Sequence, residues 1–247
     1  MRIVSRTDTG RVRKKNEDFV AFDESGGIAV LADGMGGMNA GEVASENAVA
    51  TILSYLRSEL ESDPGKREAS ECARVLSTAI ERANETVFEM SNSHYDYYGM
   101  GTTLVCAVKS GADWLIGHVG DSRAYSYSQG RGLKRLTRDH SLVQQLVDEG
   151  VLSEADARRS PNRNIVTRAV GIGADVESDV QVLTLEEQQG DLLLLCSDGL
   201  SDLIEDREIE AHCAALASKC PKLVKKLVNR ANDLGGSDNI SVLIIEF

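Results

Sequence analysis

Short apolar runs closed by glycine or aspartate bracket two long amphipathic stretches. Ile28 to Asp33 (IAVLAD) is apolar until it meets Asp-Gly, the pattern of a buried strand entering a turn. Val49, Ile52, Leu53, Leu56 and Leu60 then recur at helical spacing, as do Cys72, Val75, Leu76, Ala79 and Ala83, with Asp63-Pro64-Gly65 dividing the two helices. Thr102 to Val108, Trp114 to Val119 and Arg123 to Tyr127 are short, rich in β-branched or aromatic residues, and separated by glycine turns. Asn162 to Thr167, Val176 to Leu183 and Leu192 to Cys196 continue that series. A late helix carries Leu223, Val224, Leu227, Val228 and Ala231 between Pro221 and Gly235-Gly236, and Ile240 to Phe247 ends the chain as a strand.

Strands that cluster, rather than alternate with helices, argue against a doubly wound parallel sheet. They predict an α+β fold of antiparallel sheets covered by helices. No internal repeat, low-complexity tract or linker interrupts the pattern, so residues 1–247 are expected to form one domain. Hydrophobic residues make up 42% of the chain, enough for a sizeable core.

Charge narrows the function. The net charge of −12 repels a polyanion, which disfavours nucleic-acid binding. The five cysteines form no CxxC pair, and Cys106 and Cys196 sit in apolar runs, as expected in a reducing compartment. The first residues lack the apolar stretch of a signal peptide and no run is long enough to span a membrane, so the expected location is cytoplasmic.

The aspartates mark the ends of strands. Asp33 closes IAVLAD, Asp121 follows WLIGHVG, Asp198 follows LLLLCS, Asp238 precedes NISVLIIEF and Asp18 precedes FVAF. A strand end beside a glycine turn is held rigidly yet can present a side chain beyond the core. Aspartates from several such ends can converge, and a convergent set needs cations or protons to neutralise it. With no His or Cys among them the donors are hard oxygens, which suits Mg²⁺ or Mn²⁺. Each Asp-Gly taken alone is an ordinary turn dipeptide; the set carries the signal.

At this point the chain resembles the PPM family, the metal-dependent type 2C serine/threonine protein phosphatases, and most of all its compact bacterial members. The matching pieces are Thr7-Asp8-Thr9-Gly10 with Arg13-Lys14-Lys15-Asn16-Glu17-Asp18, then Leu31-Ala32-Asp33-Gly34-Met35-Gly36-Gly37. Gly101-Thr102-Thr103, Val119-Gly120-Asp121-Ser122-Arg123 and Leu136-Thr137-Arg138-Asp139-His140-Ser141 follow. Thr167-Arg168-Ala169-Val170-Gly171, Ser197-Asp198-Gly199-Leu200-Ser201-Asp202 and Ser237-Asp238-Asn239-Ile240 complete the order.

The resemblance implies a four-layer α-β-β-α sandwich, two central antiparallel sheets flanked by helices, with metals at one end and a flap at about 141–167. It implies that Asp33 bridges two Mn²⁺ or Mg²⁺ ions, that the Gly34 carbonyl completes one, and that Asp18, Asp198 and Asp238 hold the other. Asp121 would serve a third ion, together with Asp198 or Asp202. A water shared by two ions roughly 3.5–4 Å apart becomes a hydroxide that attacks phosphorus. Arg13 would grip the phosphate through its paired donors. The implied partners are phosphorylated proteins, a serine/threonine kinase and its targets, with no nucleic acid and no membrane; a monomer is expected. Animal members place a histidine, a proposed general acid, where this chain has Met35. His140 is read as structural.

Basic residues outnumber acidic ones from Arg123 through Arg168, and Arg158, Arg159 or Arg163 in the flap are expected to draw in acidic or phosphorylated segments. A nucleotide-binding reading of the glycines after Asp33 is weak, because DGMGG is neither GxGxxG nor a P-loop. Two readings stay open here: a non-catalytic phosphoprotein binder, and a metal-dependent hydrolase of small phosphate esters.

Overall fold

The computed structural model of the 247-residue chain describes residues 1–36, 40–61, 68–184 and 190–247. Gly37 and the Asp63-Pro64-Gly65 divider lie outside the described residues. The described strands are β1 (Arg2–Asp8), β2 (Asp18–Asp23), β3 (Ile28–Met35), β4 (Gly101–Thr102), β5 (Leu104–Ser110), β6 (Asp113–Val119), β7 (Arg123–Ser128), β8 (Gly132–Arg135), β9 (Asp179–Thr184), β10 (Leu192–Cys196) and β11 (Ile240–Glu246). The α-helices are α1 (Ala40–Glu61), α2 (Ala69–Ser93), α3 (Leu142–Asp148), α4 (Glu154–Arg159), α5 (Asp198–Ser201), α6 (Asp206–Leu216) and α7 (Cys220–Asp233).

All named pairings are antiparallel. One sheet runs β1-β11-β10-β7-β8; the other runs β2-β3-β5-β6-β9, with β4 pairing to β3. Side chains on a strand alternate between its two faces, and this period of two builds the layers. On β3, Ile28, Val30 and Ala32 pack against α1 and α2, while Ala29 and Leu31 face the opposite sheet. On β10, Leu192, Leu194 and Cys196 meet α6 and α7, while Leu193 and Leu195 point inward to meet Ala107 and Ile116. A strand buried on both faces reads as an unbroken apolar run, which explains IAVLA and LLLLC. The result is the expected four-layer α-β-β-α order. No described helix is long and apolar enough to cross a membrane, and all five cysteines are free and buried.

Two expected strands differ. Asn162–Thr167 forms turns, with only a bridge between Val166 and Ser141. Its two adjacent apolar residues, Ile165 and Val166, have no neighbouring strand to extend the ladder. The strand expected from Val176 begins at Asp179, where pairing with His118 starts.

One close approach sets the position of the site. A Cβ on Gly34 would lie 2.0 Å from the Gly41 carbonyl oxygen, so the start of α1 rests backbone to backbone on the end of β3. Only glycine permits that contact, and it brings α1 down beside Asp33.

Candidate metal centre

Strand register brings the first two aspartates together. Asp18 and Asp33 are direct partners in the β2–β3 ladder. Asp198 opens α5 immediately after β10, Asp238 immediately precedes β11, and β10 and β11 are neighbours in the other sheet. Asp121 follows β6, in a turn that Gly120 makes possible at φ +101°. Arg13, Asp33, Gly34, Asp121, Asp198 and Asp238 all line one cleft of about 190 Å³, where the ends of both sheets meet. Asp18 is buried beneath it. The residues expected to hold metal or phosphate are therefore gathered at or beside this cleft, with Asp202 lining the adjoining one together with Asp121 and Asp198.

The carboxylates sense one another. Loss of water raises the Asp33 carboxyl well above its ordinary range, and the charges of Asp18, Asp198, Asp121 and Asp238 raise it further. Asp198 is raised in the same way, first by burial and then by Asp121, Asp202, Asp238 and Asp18. Burial lifts Asp18 to about 6, against opposing hydrogen bonds from Ser241 and Ser197. Burial and the neighbouring Asp139 charge lift Asp121 to about 7.

Two oxygens point to what would relieve this strain. Asp18 Oδ1 and Asp198 Oδ1 are buried and accept no hydrogen bond from a described residue, a costly arrangement unless a positive group is to be held. An all-oxygen set of this density suits hard divalent ions such as Mg²⁺ or Mn²⁺.

Hydroxyls and an amide hold the carboxylate-bearing segments in place, residues that the sequence reading placed in the matched motifs without giving them a role. Ser197 Oγ donates to Asp18 Oδ2 at 2.8 Å and itself accepts from Ser241 N at 3.0 Å. Thr103 Oγ1 accepts from Asp33 N at 3.1 Å and pairs with Ser122 Oγ at 2.7 Å. Asn239 fastens the N-terminal loop: its Oδ1 accepts from Glu17 N at 2.8 Å, and its Nδ2 donates to Thr9 O and Lys15 O at 3.0 and 2.8 Å. The available signal was adjacency, since Ser122, Ser197 and Asn239 each neighbour a marked aspartate in sequence.

Residues 141–167 form an excursion holding α3 and α4, and its ends meet through Leu142 N to Ile165 O and the Ser141–Val166 bridge. Arg158 lies 3.6 Å from Asp206 and Arg163 lies 3.4 Å from Asp202. These two flap arginines, expected to await substrate, already face carboxylates of the body.

A second group, His118, His140 and Asp179, lies close enough to share an ion. Its imidazoles stack at 4.6 Å and 20°, so their in-plane lone pairs run side by side rather than converging. His118 Nε2 faces Arg138 O at 2.8 Å, and His140 Nδ1 accepts from Gly120 N at 3.1 Å. His140 thus holds the Gly120 turn and lines neither cleft beside Asp198.

A cleft of converging carboxylates at the shared end of a two-sheet sandwich suits a class of protein that holds divalent cations. Comparison narrows the class: residues 10–238 match the family model described as protein phosphatase 2C. The chain belongs to that family and is an enzyme of that kind. It is 39% identical over 249 residues to the serine/threonine phosphatase stp of Listeria monocytogenes, covering 98% of this chain and 94% of the relative. The crystal structure of the Mycobacterium tuberculosis serine/threonine phosphatase PstP/Ppp superposes with a TM-score of 0.88 at 33% identity, covering 100% of this chain and 98% of the other. The catalytic domain of the serine/threonine protein phosphatase PstP, solved in complex with two manganese ions, superposes with a TM-score of 0.83 at 32% identity, covering 99% of this chain and 97% of the other.

Proposed function

We propose that this chain removes phosphate from phosphoserine and phosphothreonine in proteins at a dinuclear Mn²⁺ or Mg²⁺ centre, as a single domain whose flap is 141–167. The observation that carries the reading is the pair of buried, unpartnered oxygens on Asp18 and Asp198 inside a set of mutually repelling carboxylates. Asp33, the Gly34 carbonyl, Asp18, Asp198 and Asp238 would hold the pair of ions, and Asp121 would help hold a third. When bound, such a pair of cations supplies positive charge for the phosphate and an acidified water as nucleophile.

The chain's own residues supply the rest. Arg13, exposed at the cleft and paired there with Asp238, offers two parallel donors to phosphate oxygens. Thr103 and Ser197 fix Asp33 and Asp18, so little reorganisation is needed when charge develops. Met35 lines the cleft without a proton to give. The natural partners of such an activity are a serine/threonine kinase and the proteins it modifies, and the chain is proposed to work as a cytoplasmic monomer.

The test is phosphate release from a phosphothreonine peptide with Mn²⁺, after chelation, and with Asp33→Asn, alongside calorimetric counting of bound Mn²⁺. Turnover that needs Mn²⁺, two or three ions per chain, and loss of both in Asp33→Asn are expected. Full turnover by Asp33→Asn sinks the proposal, and faster turnover of small sugar phosphates than of the peptide moves the substrate to small esters. Binding of phosphopeptide without turnover would make the chain a non-catalytic binder.

A further inference from the structure

Two cationic segments border the cleft, and they differ in how much of their charge is already engaged. Around the flap, Arg158 faces Asp206, Arg163 faces Asp202, Arg138 faces Asp148, and Arg168 faces Glu177 and Asp179. Arg123 and Arg135 both close on Asp139. Arg159 is exposed and lines neither of the clefts beside Asp198.

The loop between β1 and β2 is different. Arg11, Val12, Arg13, Lys14 and Lys15 are all exposed. Arg13 reaches into the cleft, where it meets Asp238. No ion pair joins Arg11, Lys14 or Lys15 to a described residue. The loop is nevertheless rigidly mounted at the rim: Arg11 N donates to Gly236 O at 2.7 Å, and Lys15 O accepts from Asn239, a residue of the cleft wall. The Lys15 charge is felt by Glu17, also in that wall. An ordered row of unengaged cations beside the phosphate-facing arginine stands out on a chain of net charge −12.

We infer that loop 11–15 is the docking lip for the polypeptide carrying the phosphate, and that it selects phosphosites flanked by acidic residues. The inference rests on the phosphatase reading above and names its substrate class. Beside the cleft, this lip offers an acidic segment cations that are not already paired with a described carboxylate. Screening over about 8 Å at physiological salt limits the effect to residues within a few positions of the phosphoresidue. Exposed pairs contribute little singly, and three together amount to roughly tenfold in kcat/KM.

The experiment uses two phosphothreonine peptides, one with Asp and Glu on both sides and one with Ala and Ser, plus p-nitrophenyl phosphate, which has no flanks. Wild type, Arg11→Ala/Lys14→Ala/Lys15→Ala and Arg158→Ala/Arg159→Ala are compared at low and high salt. Wild type is expected to favour the acidic peptide roughly tenfold at low salt, with the preference shrinking as salt rises. The lip variant should lose it through KM, the flap variant should keep it, and p-nitrophenyl phosphate turnover should hold in both. Preference retained by the lip variant, or lost by the flap variant, overturns the inference. So does a lip variant whose p-nitrophenyl phosphate turnover falls as far as its peptide turnover. Failure of wild type to hydrolyse any of the three with Mn²⁺ would instead remove the phosphatase reading itself.

Discussion

Arg13 and Asp238 meet across the cleft, with the guanidinium Nη2 donating to Asp238 Oδ2 at 2.8 Å. The group suited to phosphate thus leans on a group suited to metal, and Asp238 raises the Arg13 pKa through that bond. Cation binding at Asp238 would free the guanidinium to face substrate. Arg13→Ala is expected to lower kcat/KM for a phosphopeptide by roughly 10–100-fold, the scale of one charge-assisted contact. Its Mn²⁺ affinity should stay near that of wild type. Steady-state kinetics paired with a Mn²⁺ titration checks both; a large loss of metal binding would show that Arg13 organises the centre instead.

The raised carboxyls make the metal-free protein sensitive to pH in a defined direction. Asp18 at about 6 and Asp121 at about 7 hold protons in the folded state that their unfolded forms release near 3.8. Between about 4 and 7 the folded chain therefore binds more protons, and stability falls as pH rises. Their contribution is fully present below about 4 and is lost as pH climbs through 6 and 7. In chelator, the melting temperature should be higher at pH 5.5 than at pH 8, and Mn²⁺ should raise it most at pH 8. Asp121→Asn should flatten the metal-free slope. An unchanged slope in that variant would rule out Asp121 as a contributor.

How much of this was legible depends on what each residue needs around it. Asp33, Asp121, Asp198 and Asp238 could be read because each abuts an apolar run, and an apolar run fixes where a strand ends. β1 was not singled out: RIVSRTD buries only Ile3, and it becomes a strand by pairing with β11 from the far end of the chain. Thr103, Ser122 and Ser197 are common residue types whose role exists only once Asp33 and Asp18 are beside them. The flap was the least legible part. Ile165 and Val166 suggested a strand with no partner to pair with, and the arginines read as free because Asp202 and Asp206 lie far along the chain.

Asn239 joins the N-terminal loop to the strand that carries Asp238, satisfying Glu17 N, Thr9 O and Lys15 O at once. Asn239→Ala strands these backbone groups at a cost of about 2–4 kcal/mol. Because Asp18 follows Glu17 directly, metal affinity should weaken as well, by about 10–100-fold, as for other supports of ligands. Asn239→Asp keeps the acceptor for Glu17 N and loses both donated bonds, so it should fall between wild type and alanine in chemical denaturation. Equal loss in the two variants would assign the whole effect to the bonds donated to Thr9 O and Lys15 O.

His140 links the flap to the turn that carries Asp121. Its backbone N donates to Gly120 O at 2.9 Å while its Nδ1 accepts from Gly120 N at 3.1 Å, and its carbonyl accepts from Thr167 N at 2.8 Å. An accepting Nδ1 places the neutral ring's proton on Nε2, which faces Asp179 Oδ2 at 3.4 Å. An asparagine Oδ1 can stand where Nδ1 stands; a leucine fills the space and leaves Gly120 N unpaired. His140→Leu is therefore expected to destabilise by about 1–3 kcal/mol and to raise hydrogen exchange at Gly120 and along 141–167. His140→Asn should recover most of the protection at Gly120 while losing the stacking on His118. Both variants should keep an activity–pH profile of wild-type shape, since a neutral acceptor transfers no proton to substrate. A profile that loses one limb in His140→Asn would give this histidine a part in the chemistry.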